Sequence, residues 1–92
     1  MINEMLQQAA AFETTGQLDL AQNIYNVALQ LLPDAEREAR GYVHFLRGRL
    51  SYRLHNTQGA LDDIQKAIEL NPAIAEQLNG EFSKFYKEHC HH

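Results

Sequence analysis

The sequence contains one pattern of small, bulky and proline residues twice, with the same spacing each time. The first copy is Ala21-x₃-Tyr25-x₂-Ala28-x₄-Pro33, and the second is Ala60-x₃-Ile64-x₂-Ala67-x₄-Pro72. Every position of the second copy lies 39 residues after its counterpart in the first. A fixed period of this size is typical of repeat arrays, in which each unit is a helix pair that cannot bury its apolar face alone. The pattern therefore predicts a binding scaffold rather than a catalyst.

The length and composition of the chain favour a single small domain over residues 1–92. The sequence is 45% hydrophobic and 22% charged, which is ordinary for a globular protein and too apolar for a disordered one. No apolar run approaches the roughly 20 residues of a membrane span, and the first residues lack the positive charge of a signal peptide. The single cysteine, Cys90, cannot form an internal disulfide. We therefore expect a cytoplasmic domain that does not bind membranes.

Charge is distributed unevenly along the chain, whose formal net charge is −4. Residues 1–34 carry four carboxylates and no lysine or arginine, residues 35–55 carry five arginines against two glutamates, and residues 56–92 carry six carboxylates against three lysines. A basic segment of this size is weak evidence for nucleic acid, which usually needs a larger positive surface. Because arginine is well suited to hold carboxylates, the segment instead favours an acidic protein partner.

Turn residues and apolar periodicity predict five helices. They span about 2–15, 18–31, 35–54, 57–70 and 73–89. Pro33 ends the second helix, because a proline ring disfavours helix in the residue before it, and Asp34 is expected to cap the third. Asn56 or Thr57 is expected to cap the fourth helix, and Asn71 the fifth. The predicted fold class is all-α, with antiparallel helix-turn-helix units joined by short turns.

The third predicted helix combines two stripes of side chains. The apolar stripe recurs at steps of three and four and consists of Ala39, Val43, Leu46, Leu50 and Leu54. The arginine–aromatic stripe lies on a neighbouring face and consists of Tyr42, Phe45, Arg49, Tyr52 and Arg53. One interpretation is that its aromatic residues widen the core while its arginines are solvated. The other is that the arginine–aromatic stripe is an exposed surface that binds a peptide.

The two units resemble the tetratricopeptide repeat, a helix pair of about 34 residues with the pattern W-x₂-L-G-x₂-Y, then A-x₃-F, then P. The second unit has His44-x₂-Arg47-Gly48-x₂-Ser51, then Ala60-x₃-Ile64, then Pro72. The first unit has Met5-x₂-Gln8-Ala9-x₂-Phe12, then Ala21-x₃-Tyr25, then Pro33. The resemblance implies repeat one at about 2–34, repeat two at about 35–72 and a capping helix at about 73–89. The period exceeds that of the family by about five residues, which we place around 34–40, where they lengthen the third helix.

The resemblance implies a protein–protein interaction module in which the first helix of each unit lines a concave surface. Some family members hold a C-terminal carboxylate with lysine and asparagine, but here the first unit offers Leu6, Ala10 and Glu13 and no cation. The arginine–aromatic stripe is then the candidate site for a peptide or helix with acidic and apolar side chains. The alternative is a structural or assembly role, in which the chain forms a homodimer or docks permanently on a partner, as small secretion chaperones of this family do.

The core is predicted where apolar stripes face small residues. Its expected large members are Leu46, Leu50, Ile64, Phe82 and Phe85. The small residues at close helix approaches are expected to be Ala9, Ala21, Ala28, Gly48, Ala60 and Ala67. The last helix is expected to cover the open end of the second unit through a stripe formed by Ile74, Leu78, Phe82 and Phe85.

Residues with catalytic or metal-binding chemistry do not form a convincing site. Ser51 and His55 lie one helical turn apart, but no acid is placed to orient the histidine. Asp62 and Asp63 point to different faces and are expected to be solvated and to complement the helix dipole. The segment 89–92, His-Cys-His-His, has metal-ligand chemistry but lies at a chain end, where outer hydrogen-bond support is poor. We therefore expect no enzymatic activity, no cofactor and no metal.

Overall fold

The computed structural model describes residues 1–78 and 80–89, apart from the side chains of residues 80–82 and 89. This part of the chain is helical and contains no strand. The helices are α1 (Ile2–Thr14), α2 (Leu18–Leu31), α3 (Arg37–Arg53), α4 (Thr57–Leu70), α5 (Ile74–Gln77) and α6 (Gly80–His89). The predicted all-α fold is confirmed, and the first four predicted helices match α1–α4 to within two residues at each end. We refer to α1 and α2 as unit one, and to α3 and α4 as unit two.

The single last helix predicted over 73–89 is wrong, because the structure has two helices there. α5 ends at Gln77, and Leu78 is extended, with φ −71° and ψ 124°. α6 then begins at Gly80. Asn79 and Gly80 are both poor helix formers, which is a sequence reason for the interruption.

The turns that end α1 and α3 share one geometry. Gly16 has a φ of 82°, and the N–H of the following residue donates to the carbonyl of Phe12 at 2.8 Å. After α3, His55 has a φ of 63°, and the next N–H donates to the carbonyl of Ser51 at 2.9 Å. Both are Schellman-type ends, in which a left-handed residue lets the chain reverse. Because histidine adopts this conformation less readily than glycine, the second turn is the more strained of the two.

Small residues allow the helices of each unit to approach closely, as predicted. The five alanines of the predicted set are fully buried. At Gly48, a Cβ atom would lie 2.9 Å from the Cβ of Asp63 and 3.2 Å from the carbonyl oxygen of Ala60. At Gly41, a Cβ atom would lie 2.9 Å from the Cβ of Asn71 and 3.0 Å from the carbonyl oxygen of Ala67. α3 therefore crosses α4 at a distance that only glycine permits at these two positions. Of the two, only Gly48 was among the predicted small residues.

The large residues of the core lie mainly between α2, α3 and α4. Leu46, Leu50, Ile64 and Phe85 are buried, which confirms four of the five predictions. The side chain of Phe82 lies outside the described part of the chain. A second, smaller apolar cluster surrounds Phe85 and consists of Ala60, Leu61 and Phe85, with Tyr52 and Tyr86 packed against it. Through this cluster, α6 covers α4 and the end of α3.

The additional residues between the units lengthen α3 and attach it to α2. α3 begins at Arg37, about one turn before Gly41. The guanidinium group of Arg40 donates to the backbone carbonyls of Leu29 and Leu32, each at 2.8 Å. An arginine in this position satisfies carbonyls that the end of a helix leaves without partners. The extra turn of α3 thus holds the C-terminal end of α2.

Of the predicted helix caps, one is confirmed and two are wrong. Asn56 caps α4, because its side chain accepts a hydrogen bond from the N–H of Gly59 at 3.1 Å. Asp34 does not cap α3, whose N-cap residue is Glu36 and has no side-chain capping bond. Asn71 does not cap α5, and its side chain donates to a backbone carbonyl in the first turn of α3 at 3.4 Å. In both cases the helix begins later after the preceding proline, Pro33 or Pro72, than predicted.

Candidate interaction groove

The first helices of the two units, α1 and α3, form the walls of an open groove. One part has a volume of about 370 Å³ and is lined by Asn3, Leu6, Gln7, Ala10, Tyr25, Tyr42, Leu46 and Arg49. The next part has a volume of about 330 Å³ and is lined by Ala10, Glu13, Thr14, Arg49 and Arg53. Because the two parts share Ala10 and Arg49, they form one continuous depression. We call it the α1–α3 groove.

Helical spacing explains why these residues face the groove. Along α1, the lining residues recur at steps of three and four, and they comprise Asn3, Leu6, Gln7, Ala10, Glu13 and Thr14. Along α3, steps of four, three and four place Tyr42, Leu46, Arg49 and Arg53 on one side. Leu6, Ala10 and Glu13 were expected from the sequence, and the structure places all three in the groove. Asn3, Gln7 and Thr14 were missed, although their spacing from Ala10 indicates the same face.

The structure divides the arginine–aromatic stripe between the groove and the core. Tyr42, Arg49 and Arg53 line the groove, and Tyr42 is 42% exposed. Phe45 is only 7% exposed and belongs to the main core. Tyr52 is half-buried and its ring centroid lies 4.6 Å from that of Phe85. The interpretation that the aromatic residues widen the core thus holds for Phe45 and Tyr52, whereas the other three residues line the groove.

A buried carboxylate at one end of the groove holds Arg53. The Nη1 atom of Arg53 lies 3.2 Å from Oε1 of Glu13, whose side chain is buried. The hydroxyl group of Tyr25 donates to the other carboxylate oxygen of Glu13. Burial of the phenol and its bond to Glu13 both raise the pKa of Tyr25 above its usual range. The charge of Arg53 is therefore partly compensated within the chain.

Arg49 differs from Arg53, since no acidic side chain in the described part of the chain forms an ion pair with it. Its guanidinium carbon lies 5.6 Å from the ring centroid of Phe45, within the range of a cation–π contact. This contact orients an exposed cation toward the groove without neutralising it. Among the described residues, Arg49 is thus a groove cation whose charge no carboxylate compensates through an ion pair.

A second polar cluster lies on the side of α3 away from the groove. The Nε and Nη2 atoms of Arg47 donate to the two carboxylate oxygens of Asp63 at 2.9 and 2.7 Å. The Nδ1 atom of His44 lies 2.9 Å from Oδ1 of the same carboxylate, and Nη1 of Arg47 donates to Asn26 of α2 at 2.9 Å. Burial alone would raise the pKa of Asp63, but the bonds from His44 and Arg47 hold it below its usual range.

The expectation that Asp63 is solvated is therefore wrong, because it is only 6% exposed. Asp62 is exposed, as predicted, and accepts a hydrogen bond from Gln58 at 2.8 Å. The signal for the buried cluster was present in the sequence, since His44 and Arg47 occupy positions that are apolar in the repeat pattern. Two polar residues there require a polar partner on the facing helix.

The other residues with reactive chemistry do not gather into a site in the described part of the chain. No group of three or more metal-binding side chains lies close enough to hold an ion among the residues described. The side chain of His89 and residues 90–92 lie outside what the structure describes. Ser51 is buried in the fold, whereas His55 is exposed in its turn.

A comparison with protein families identifies the repeat. The family model for the tetratricopeptide repeat matches residues 41–74, which cover most of α3, all of α4 and the start of the segment that follows. Together with the all-helical fold, this match over 34 of the 92 residues supports a protein of the tetratricopeptide-repeat type. The match lies on unit two, and unit one has the same spacing of alanines and proline 39 residues earlier. No curated protein and no solved structure is detectably similar to the chain.

The match to this family supports a general role in protein–protein interaction. Repeats of this type are protein–protein interaction modules and are typically non-catalytic. Their helix pairs stack so that extended concave surfaces become available to partners. In the part of the chain that the structure describes, none of the helices has the length and apolar character needed to cross a bilayer.

Proposed function

We propose that this protein binds a peptide or helical segment of a partner protein in the α1–α3 groove. The observation that carries the proposal is the position of Arg49 beside Tyr42 and Leu46 on the groove wall, as an exposed cation that pairs with no carboxylate of the described residues. An arginine next to exposed aromatic and aliphatic surface suits a ligand that combines an acidic side chain with an apolar one. We therefore propose a partner segment of that composition.

The five residues of the arginine–aromatic stripe contribute to this surface in different ways. Tyr42 and Arg49 contact the ligand directly, and Phe45 supports the guanidinium group of Arg49 from below. Arg53 forms the far end of the groove, where Glu13 limits its positive charge. Tyr52 forms the edge of the surface next to α6 through its packing on Phe85.

The charge distribution of the chain supports an acidic ligand. The segment 35–55 has a net charge of +3, whereas 1–34 has −4 and 56–92 has −3. A ligand with carboxylates is attracted to α3 and repelled by the flanking segments, which favours one position and one orientation. The same argument disfavours nucleic acid, whose phosphates would meet a mainly acidic surface. The single cysteine supports a cytoplasmic location, which stays a prediction.

The experiment uses a displayed library of random peptides of about ten residues, because aromatic and arginine anchors typically contact only a few ligand side chains. Selection on the parent protein should enrich peptides with Asp or Glu close to a large apolar residue. For one enriched peptide, Arg49→Glu should raise the dissociation constant more than tenfold, since it removes the attraction and adds repulsion. Its thermal midpoint should stay close to that of the parent, because an exposed charge contributes little to folding.

Arg37→Glu is the matched control for this experiment. It makes the same charge change on the same helix at an exposed position outside the groove lining. It should bind the selected peptide within about twofold of the parent, because exposed charges distant from the ligand are screened by salt. Enrichment of basic peptides, or equal losses for Arg37→Glu and Arg49→Glu, would contradict the proposed site.

A further inference from the structure

A second unusual surface lies on α2, outside the α1–α3 groove. Leu20, Val27 and Leu31 are 44%, 42% and 53% exposed, and Ile24 between them is half-buried. Their spacing of four, three and four residues places them on one side of the helix. We call these four residues the α2 stripe, which is about 16 Å long at a rise of about 1.5 Å per residue. Single exposed apolar residues are common on proteins, but an aligned row of them marks a contact surface.

Unit two shows that the repeat does not require this apolar stripe. The corresponding positions on α4, 39 residues later, are Gly59, Asp63, Lys66 and Leu70. Asp63 is buried in the polar cluster, Lys66 is exposed and pairs with Glu69 at 3.7 Å, and Leu70 is only 8% exposed. The same fold position thus avoids exposed apolar side chains in unit two. The stripe is a property of α2 rather than of the helix pair.

The charge of α2 favours a second copy of the chain as the occupant. Asp19 is the only charged residue among the 14 residues of α2, and the positions beside the stripe include the neutral amides Asn23 and Gln30. Two copies of a protein with a net charge of −4 repel each other in general. Contact through α2 brings together the least charged of the long helices, where this repulsion is smallest.

The spacing of the stripe is self-complementary. Leu20 and Leu31 lie equally far from the middle of the α2 stripe, and so do Ile24 and Val27. If two copies of α2 pack antiparallel about a two-fold axis, Leu20 faces Leu31 of the second copy and Ile24 faces Val27 of the second copy. An open hollow of about 510 Å³, lined in part by Leu18, Leu20 and Leu54, lies at the start of α2. The most exposed residue of the stripe, Leu31, would then enter this hollow on the other copy.

We propose that the α2 stripe is the interface of an antiparallel, two-fold symmetric homodimer. A contact confined to 14 helical residues, about 21 Å by 10 Å, is smaller than the roughly 800 Å² per partner of a stable interface. The dimer is therefore weak, with a dissociation constant of about 10–100 μM. None of the stripe residues lines the α1–α3 groove, so the dimer presents two accessible grooves and does not depend on the proposed ligand.

Sedimentation equilibrium of the parent chain from about 1 μM to 1 mM tests for the dimer, since this range brackets the expected dissociation constant. Val27→Lys, which gives α2 the residue that α4 has at the same position, should raise the dissociation constant more than tenfold. Gln77→Lys adds the same charge at an exposed position of α5 and should leave the dissociation constant unchanged. Helicity by circular dichroism should be equal in all three chains. A parent that stays monomeric throughout, or a Val27→Lys chain that dimerises like the parent, overturns the proposal and leaves the stripe to a different protein.

Cross-linking tests the antiparallel geometry, with Cys90→Ser as the background. A chain with Leu20→Cys mixed with a chain with Leu31→Cys should form a disulfide-linked dimer, because these positions face each other. Neither chain alone should do so, since each cysteine then lies about 16 Å from its own counterpart, beyond the roughly 7 Å that a disulfide spans. Cross-linking of the Leu20→Cys chain with itself would contradict the two-fold arrangement.

Discussion

The two units of this protein have small residues at three matched positions of their helix crossings but different chemistry around them. In unit two, His44 and Arg47 of α3 bind the buried carboxylate of Asp63 on α4. The equivalent residues of unit one are Met5, Gln8 and Ile24, which place apolar or neutral side chains at that crossing. Unit one instead buries one carboxylate, Glu13, against a tyrosine on its groove side.

This comparison distinguishes the residues that set the packing of a helix pair from the surrounding residues, which can vary with function. Small residues at the crossings set how closely the helices approach, and these are alanines in unit one and both alanines and glycines in unit two. The surrounding positions are free to differ, because either an apolar contact or a fully bonded ion cluster can fill them. Unit two uses its polar cluster to join three helices, through Asn26 of α2 as well as α3 and α4. Unit one leaves α2 with an apolar face directed to solvent.

The largest expected effect distinguishes a core leucine of unit two from an exposed leucine of unit one. Leu50 is fully buried, whereas Leu20 is 44% exposed. Leu50→Ala should lower the free energy of unfolding by roughly 2–5 kcal/mol, because it removes buried methyl groups and leaves a cavity. Leu20→Ala, the same chemical change, should cost less than about 1 kcal/mol. Urea unfolding at micromolar concentration measures both, and equal losses would contradict the assigned core.

The next effect tests the polar cluster of unit two. Asp63→Ala should lower the free energy of unfolding by about 2–3 kcal/mol, since it leaves His44 and Arg47 without their shared acceptor. The loss is limited because Arg47 is only partly buried. Replacing the cluster by the residues of unit one, with His44→Met, Arg47→Gln and Asp63→Ile together, should restore most of the loss. Buried ion clusters can often be replaced by apolar residues at little cost. If the triple variant is less stable than Asp63→Ala, the two crossings are not interchangeable.

A smaller effect separates the units by pH. The pKa of Asp63 is lowered in the fold, so its contribution is present above the unfolded value of about 3.9 and is lost as the pH falls through the folded value. The stability difference between the parent and Asp63→Asn should therefore shrink below about pH 4. Urea unfolding at several acidic pH values measures this difference. A difference in free energy of unfolding that stays constant down to about pH 2 would contradict the lowered pKa of Asp63.

Unit one should respond to alkali instead. The pKa of Tyr25 is raised by burial and by Glu13, so its contribution is present below the unfolded value of about 10 and is lost at higher pH. At pH 11 the parent should lose at least about 1 kcal/mol that Tyr25→Phe does not lose. Tyr42→Phe is the control. It removes an exposed phenol but retains the buried phenol of Tyr25, so its stability should fall at pH 11 as that of the parent does. Identical alkaline profiles for Tyr25→Phe and the parent would show that the phenol is not held as described.

The smallest effect concerns the two equivalent turns. Gly16 and His55 both have positive φ, at 82° and 63°, but only the histidine is strained by it. His55→Gly should raise the free energy of unfolding by about 0.5–1 kcal/mol, because relief of the strain exceeds the added entropy of the unfolded chain. Gly16→Ala should lower it by about 1 kcal/mol for the opposite reason. Thermal unfolding measures both, and a less stable His55→Gly chain would show that His55 has a role beyond the turn.

Much of the fold could be predicted because its determinants are local and repeat. Alanines and prolines at matched positions, together with the turn residues between the helices, predicted four helices and their antiparallel order. The break at Leu78 was missed, since the apolar stripe of the last segment continues through it and masks the poor helix formers that follow. The burial of Asp63 was missed because its partners lie 16 and 19 residues away, on another helix.

The site could be predicted only in part, because one helical stripe can serve two surfaces. At 100° per residue, Arg49 and Arg53 lie within about 20° of Tyr42 around α3, while Phe45 and Tyr52 lie about 60–80° away. That angle is small enough to suggest one face in the sequence. It is also large enough for neighbouring helices to bury two of the five residues. Which residues remain exposed depends on α5 and α6, whose path the sequence did not predict.

The central claim is that a partner segment occupies the α1–α3 groove. Backbone amide shifts in a ¹⁵N-labelled sample, titrated with a peptide selected on the parent protein, test it most directly. The account predicts the largest shifts at Leu6 and Ala10 on α1 and at Tyr42 and Arg49 on α3, with little change at Lys66 on α4. Shifts concentrated on α4, or on the α2 stripe instead of the groove, would contradict it.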